Sequence, residues 1–198
     1  MTNENPTLLT AVAAVSAPRS SVWMRSAGIV LAGSALVAVC AHLALPLFFT
    51  PVPLSMAPFA VLVLGLVLSP RLAAATLGAY LLEGAAGLPV FGPSPAVGGL
   101  AHLIGPTGGY LLSYPLAAGL IALLVRRLGR GFTPSAVAAL AGSLVILLCG
   151  ATWLSVLTHG TVSQVFTLAV LPFLPGDALK VAGAAGLAAG WARLHRNA

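Results

Sequence analysis

The stretch SAVAALAGSLVILLCGATWLSVLT, residues 135–158, carries no charged side chain over its whole length. A helix needs roughly 20 predominantly apolar residues to cross the hydrocarbon core of a bilayer. This stretch therefore predicts a membrane-spanning helix. Five further apolar runs lie at about 27–47, 55–69, 72–88, 107–125 and 164–192. Together the runs predict an all-α membrane protein with six transmembrane helices and a long loop between helices three and four.

The six runs are unequal in length. The second and third are short for a membrane span, and Pro172 and Pro175 interrupt the last. Proline removes a backbone donor and breaks a helix, which membrane proteins tolerate where neighbouring helices or a cavity satisfy the freed groups. The sequence therefore predicts an irregular point early in the sixth span.

The composition excludes a water-exposed globule. Hydrophobic residues make up 59% of the chain and charged residues only 6%, whereas soluble domains carry about a quarter charged residues. The mean hydropathy of +1.05 leads to the same conclusion. We expect the lipid bilayer to be the solvent of a single membrane domain at 21–198, preceded by a polar, poorly ordered leader at 1–20.

The net charge of +6 reflects membrane topology, because the basic residues form no continuous face that would bind nucleic acid. When six spans are threaded with the N-terminus in the cytoplasm, eight of the nine Lys and Arg residues fall on one side. Cytoplasmic loops are enriched in such residues. This pattern predicts a multi-pass protein with both termini cytoplasmic. The eight residues are Arg19, Arg25, Arg71, Arg126, Arg127, Arg130, Arg193 and Arg196.

Three charged residues lie within the apolar runs instead: Glu83, Asp177 and Lys180. A charge at membrane depth is costly and usually faces a cavity or a partner. The i, i+3 spacing puts Asp177 and Lys180 on one helix face, so we expect the three to share one polar site. The alternatives are that Asp177 and Lys180 only neutralise each other, and that Glu83 only accepts hydrogen bonds from loop amides.

The segment from Gly87 to Gly109 is rich in Gly and Pro and carries no charge. We interpret it as a non-helical loop folded over the mouth of a cavity. Its GPTGGY motif, residues 105–110, is suited to backbone contacts with an anion or, equally, to tight turns. The motif lacks the Lys of a phosphate-binding loop, and the scattered histidines show no ligand spacing. No catalytic residue, metal site or cofactor is predicted.

Several motifs together resemble a known family. These are TPVPLSMAPF at 50–59, YLLEG at 80–84, GLPVF at 87–91, GPTGGY and PFLPGDALKV at 172–181. They are similar, in order, to the BioY family of biotin-specific S components of energy-coupling-factor (ECF) transporters, and the resemblance covers about 46–128 and 150–181. It implies an S-component-like bundle of six helices in the bacterial cell (inner) membrane, with an extracellular pocket that binds biotin without chemistry. It also implies a transmembrane coupling (T) subunit and cytoplasmic ATPase subunits as partners.

The resemblance places family motif residues on Asp177, Lys180 and Glu83, and on the GPTGGY loop with Gly108. Aromatic side chains near them supply expected pocket walls. The predicted ligand-binding residues are Glu83, Tyr80, Phe91, Gly108, Tyr110, Trp153, Asp177 and Lys180. Lys180 is suited to the biotin carboxylate or ureido carbonyl, and a carboxylate to the ureido N–H groups. The chain departs from the family at Ser55 and Ala57, where Thr and Gln are frequent.

Three other functions fit parts of the pattern. An S component for another vitamin would share the fold and differ only in its pocket. A self-sufficient secondary transporter would use Asp177 and Lys180 as a proton relay, although the internal repeat common in such proteins is not evident. A membrane enzyme would use Glu83 and His102 as acid and base, but needs a convergent nucleophile or metal set that the sequence does not display.

Overall fold

The computed structural model describes residues 19–93 and 98–194. These residues form eight helices and one two-stranded antiparallel hairpin. In chain order they are α1 Arg19–His42, β1 Ala44–Leu45, β2 Leu54–Ser55, α2 Ala57–Val67, α3 Pro70–Ala85, α4 Leu100–Leu103, α5 Gly108–Leu128, α6 Phe132–Thr158, α7 Val162–Ala169 and α8 Leu174–Leu194.

Three helices of the described residues are long and apolar enough to cross a membrane, namely α1, α5 and α6. The pair α7 and α8 would make a fourth span if its two parts, which meet at a bend of 51°, are counted together. The predicted mostly helical, membrane-capable architecture is confirmed. Because α2 has only 11 residues and α3 only 16, six membrane crossings stay a prediction.

The first helix differs from the predicted run at both ends. It begins at Arg19, within the predicted leader, whose residues 1–18 lie outside the described part of the chain. It ends at His42 rather than near 47, because Ala44 and Leu45 pair with Ser55 and Leu54 in the hairpin. This pairing joins residues nine and eleven apart and was not visible in the local hydropathy.

The predicted break in the last apolar run is confirmed. Helix α7 ends at Ala169, the chain turns through Pro172, and α8 begins at Leu174 with Pro175 in its first turn. Proline is tolerated there because the first N–H groups of a helix have no intrahelical partner. The Gly87–Gly109 segment, in contrast, is not wholly non-helical as predicted, because it contains the four-residue helix α4.

Helices α5 and α6 pack closely because glycines face bulky side chains across their contact. A Cβ added to Gly109 would collide with Trp153 and lie 2.7 Å from the Cys149 carbonyl oxygen. Gly150 faces the ring of Tyr110 in the same way, and Gly142 faces Ile121. Small residues let helix backbones approach in lipid, where close packing replaces the hydrophobic effect as the source of helix association.

We therefore predict that Gly109→Ala lowers the stability of the protein by about 1–3 kcal/mol, the usual cost of overpacking a tight contact. The Cys149 carbonyl belongs to a helix backbone and cannot move aside easily. Thermal unfolding in detergent measures the effect. Gly78→Ala is the matched control, because a Cβ there meets nothing within 4 Å. Equal melting temperatures for the two variants would contradict the packing argument.

Candidate functional site

A cavity of about 660 Å³, including its open mouth, lies where the end of α1, the hairpin, the starts of α2, α5 and α8, and the segment before α5 meet. Its lining is mainly apolar with a few polar groups. The lining residues are Ala41, Val52, Pro53, Ser55, Ala57, Pro58, Tyr80, Gly92, Pro93, His102, Thr107, Tyr110, Leu111, Tyr114, Ile146, Leu147, Phe173, Asp177 and Lys180.

The ion pair of Asp177 and Lys180 lies on this lining. The Lys180 ammonium is 3.1 Å from Asp177 Oδ1, and the side chains are only 7% and 13% exposed, respectively. Ser143 on α6 donates a hydrogen bond of 3.3 Å to the other carboxylate oxygen, Oδ2. Taking these charges out of water is costly, and pairing with an added hydrogen bond offsets the cost. The pair therefore offers a ligand one cation and one anion in a nearly dry environment.

Tyr110 connects the cavity to the break between α7 and α8. Its hydroxyl donates a hydrogen bond of 2.8 Å to the carbonyl oxygen of Ala169, the last residue of α7. A carbonyl at a helix end has no partner in the next turn, and in lipid it must find one inside the protein. Tyr110 thus supplies the hydrogen bond that the carbonyl at the end of α7 would otherwise lack. Its ring lies 6.3 Å from that of Phe173 on the cavity wall.

Two hydroxyls on the lining have no hydrogen-bond partner within the described residues: those of Tyr80 and Thr107. Tyr80 is fully buried, with its ring 5.4 Å from Phe91 and 6.5 Å from Tyr114. Buried hydroxyls are normally bonded, and an unbonded one costs free energy. The two groups are therefore suited to polar atoms of a bound molecule.

Four predicted site residues lie behind the lining rather than on it. Glu83 turns towards α1, where Ser34 Oγ lies 2.9 Å from its Oε1, so it does not join Asp177 and Lys180. Phe91 packs over Gly84 and against Tyr80. Trp153 Nε1 donates to the Gly105 carbonyl oxygen at 2.9 Å, next to Gly108. Direct contact of these four with a ligand stays a prediction.

The lining also includes residues outside the predicted set. Tyr114 lies four residues after Tyr110, a spacing that puts both on one helix face and could have indicated it. His102 is 5% exposed, and burial lowers the pKa of its imidazole below the ordinary value, so it is neutral at pH 7. Thr107 belongs to the GPTGGY motif, which we interpreted for its backbone and glycines rather than for this hydroxyl. Within the described residues, His, Cys, Asp and Glu side chains form no group of three that could hold a metal.

Ser55 and Lys180 line a second depression as well. It is an apolar groove of about 1110 Å³, including its open mouth, between the hairpin, α2 and the start of α8. The two residues therefore form part of the wall between the cavity and the outer face of the bundle.

The fold is that of an S component. The chain matches the crystal structure described as the S-component for biotin from an ECF-type ABC transporter, with a TM-score of 0.80. The match covers 89% of this chain and 95% of that one at 23% sequence identity. The chain belongs to the BioY family, whose model matches residues 8–197.

Curated relatives agree with this assignment. A probable biotin transporter BioY of Pyrococcus horikoshii is 40% identical over 134 residues, covering 68% of this chain and 76% of the relative. The biotin transporter BioY of Thermotoga maritima is 33% identical over 155 residues, covering 78% and 88%. A probable biotin transporter BioY of Bacillus subtilis is 35% identical over 162 residues, covering 78% and 83%. These relatives are named as transporters, which favours a transport function over the membrane enzyme considered above.

The Trp153 hydrogen bond predicts a local effect. Trp153→Phe keeps the ring contacts but removes the donor to Gly105, so the 105–108 turn should open more readily, by about 1 kcal/mol. Hydrogen exchange followed by mass spectrometry should show faster exchange confined to this turn. Trp191→Phe, at the other end of the bundle, is the control. Unchanged exchange at 105–108 in Trp153→Phe would show that the bond does not hold the turn.

Proposed function

We propose that this chain is the high-affinity biotin-binding membrane subunit of a vitamin uptake transporter. The observation that carries the proposal is the Asp177–Lys180 ion pair on the lining of a largely apolar cavity. The family and the names of the relatives support biotin as the ligand. The subunit captures biotin at one membrane face, and transport requires an ATP-driven coupling module.

The chemistry of the cavity matches that of biotin. Biotin has an apolar sulfur ring and valeryl chain, a ureido group with N–H donors and a carbonyl, and a carboxylate. Val52, Leu147 and Phe173 supply apolar wall. Asp177 supplies an acceptor and Lys180 a donor, and hydrogen bonds to charged groups contribute roughly 1.5–3 kcal/mol each. The unpartnered hydroxyls of Tyr80 and Thr107 supply further polar contacts.

We further propose six membrane crossings, with α7 and α8 counted as one. Helix α2 is about 16 Å long at 1.5 Å per residue, too short to cross alone. It packs against α1, α5 and α8 and so is sheltered from lipid along much of its surface. The helix ends that carry Arg71, Arg126, Arg127 and Arg193 lie opposite the cavity, and the positive-inside rule puts this arginine end in the cytoplasm.

The proposed partners follow from the absence of an energy source in this chain. No phosphate-binding loop motif occurs in the sequence, so hydrolysis of ATP belongs to separate subunits. The S-component fold supports a transmembrane T subunit as the connection between this chain and cytoplasmic ATPases. Uptake by this chain alone in liposomes, driven by a proton gradient, would instead support a secondary transporter.

Equilibrium binding of labelled biotin to the detergent-purified chain tests the ligand. Asp177→Asn and Lys180→Ala should each weaken binding by more than about tenfold, because each leaves the other partner of a buried pair uncompensated. Arg126→Ala, at the opposite end, should bind like the wild type. A well-folded wild type that binds another vitamin but no biotin would contradict the ligand and retain the S-component fold.

Tyr80→Phe separates ligand contact from folding. The Tyr80 hydroxyl has no hydrogen-bond partner among the described residues, so its removal should leave the melting temperature of the empty protein unchanged or slightly raised. Biotin affinity should fall by about fivefold or more, the value of one lost hydrogen bond. The matched control is Tyr110→Phe, which removes a bonded hydroxyl and should lower the melting temperature. Unaltered biotin affinity in Tyr80→Phe would exclude this hydroxyl from the contacts.

A further inference from the structure

Another cavity, separate from the two described above, lies at the arginine end of the bundle. It measures about 930 Å³ including its open mouth, and lies between the start of α6 and the end of α8. Arg130, Gly131 and Phe132 line one side, and Trp191 and Arg193 line the other. Arg193 follows Lys180 by 13 residues on α8, so this cavity is roughly 20 Å from the Asp177–Lys180 pair at 1.5 Å per residue. The proposed transport of biotin does not use it.

No side-chain carboxylate of residues 19–93 and 98–194 lies beside the two arginines of this cavity. The acidic side chains among residues 19–93 and 98–194 are Glu83 and Asp177, which contact Ser34 and Lys180, respectively. Both guanidinium groups belong to exposed residues at the cavity rim. A guanidinium group presents a planar fork of donors that matches a phosphate group. An anion that pairs with these two arginines would therefore come from outside the described residues.

The start of α6 adds to the attraction for an anion. The helix begins at Phe132 and no side chain caps its first turn. The first N–H groups of a helix carry a partial positive charge and bind anions. Arg130 precedes this turn directly, and Gly131 adds no side chain that would cover it.

The cavity continues into an apolar cleft, which indicates the kind of anion. A narrow, shallow depression shares Arg130, Trp191 and Ala192 with it and extends past Ser135 to Leu66 and Val67 at the end of α2. A free phosphate would use only the basic mouth. A molecule with a phosphate at one end and a hydrocarbon chain at the other would use both parts. The surrounding bilayer supplies such molecules at high local concentration.

We propose that this cavity binds an anionic phospholipid of the membrane, with its phosphate between Arg130 and Arg193 and an acyl chain in the cleft beside Val67. Basic pockets between helices on the cytoplasmic side bind acidic lipid head groups in other membrane proteins. The lipid fills the gap between α6 and α8 and neutralises the arginine pair.

Native mass spectrometry of the delipidated full chain, titrated with phosphatidylglycerol or with phosphatidylcholine of the same acyl chains, tests this proposal. The wild type should bind one phosphatidylglycerol at least about tenfold more tightly than phosphatidylcholine. The double variant Arg130→Gln/Arg193→Gln should lose this preference. The matched control is Arg126→Gln/Arg127→Gln, which removes the same charge from the same end but from residues that do not line either cavity. The control should keep the preference within about twofold.

Equal losses in the two double variants would overturn the proposal, because they would show a general effect of charge rather than a site. Retention of the preference in Arg130→Gln/Arg193→Gln would overturn it as well.

A variant with a bulkier cleft residue, Val67→Phe, separates lipid from free phosphate. It should weaken phosphatidylglycerol binding although it leaves every arginine in place, and unchanged binding would remove the acyl chain from the cleft. Biotin binding measured on all variants should match the wild type, so the result does not depend on the transported ligand.

Discussion

Burying the ammonium of Lys180 is the constraint on which the arrangement of helices around the cavity depends. A lysine that is only 7% exposed needs an anion at contact distance, and Asp177 supplies it from one turn earlier on α8. Ser143 binds the same carboxylate from α6 and so sets the rotation of α8 relative to its neighbour. A few residues upstream, the broken helix leaves the Ala169 carbonyl to be satisfied from α5 by Tyr110. Four helices are therefore joined in two pairs by polar bonds near the cavity, α6 to α8 and α5 to α7.

The sequence predicted the helices well where the information was local. Uncharged runs near the length of a membrane span gave α5 and α6 within three residues at each end. Prolines at 172 and 175 gave the break before α8. The end of α1 was wrong because it is decided by pairing between Ala44 and Ser55, and hydropathy does not report pairing across a turn.

The local sequence likewise predicted one part of the site and missed another. The i, i+3 spacing of Asp177 and Lys180 predicted their common face. Glu83 has the same rarity but bonds to Ser34, 49 residues earlier, and nothing in the local sequence indicates that partner. The Tyr80 and Thr107 hydroxyls are of interest because they have no hydrogen-bond partner among the described residues. Only the three-dimensional structure shows this. The rarity of charged residues within the apolar runs identified Glu83, Asp177 and Lys180. The three-dimensional arrangement decided whether each of them lines the cavity or lies behind its wall.

The uneven distribution of arginines along the bundle axis has a consequence for biogenesis. Turning the inserted protein over would carry Arg71, Arg126, Arg127, Arg130 and Arg193 through the hydrocarbon core. Each crossing costs about 3 kcal/mol even on the mildest scale, and in the proposed orientation the negative cytoplasmic potential would oppose outward movement of every one. Reversal of the orientation set at insertion is therefore strongly unfavourable.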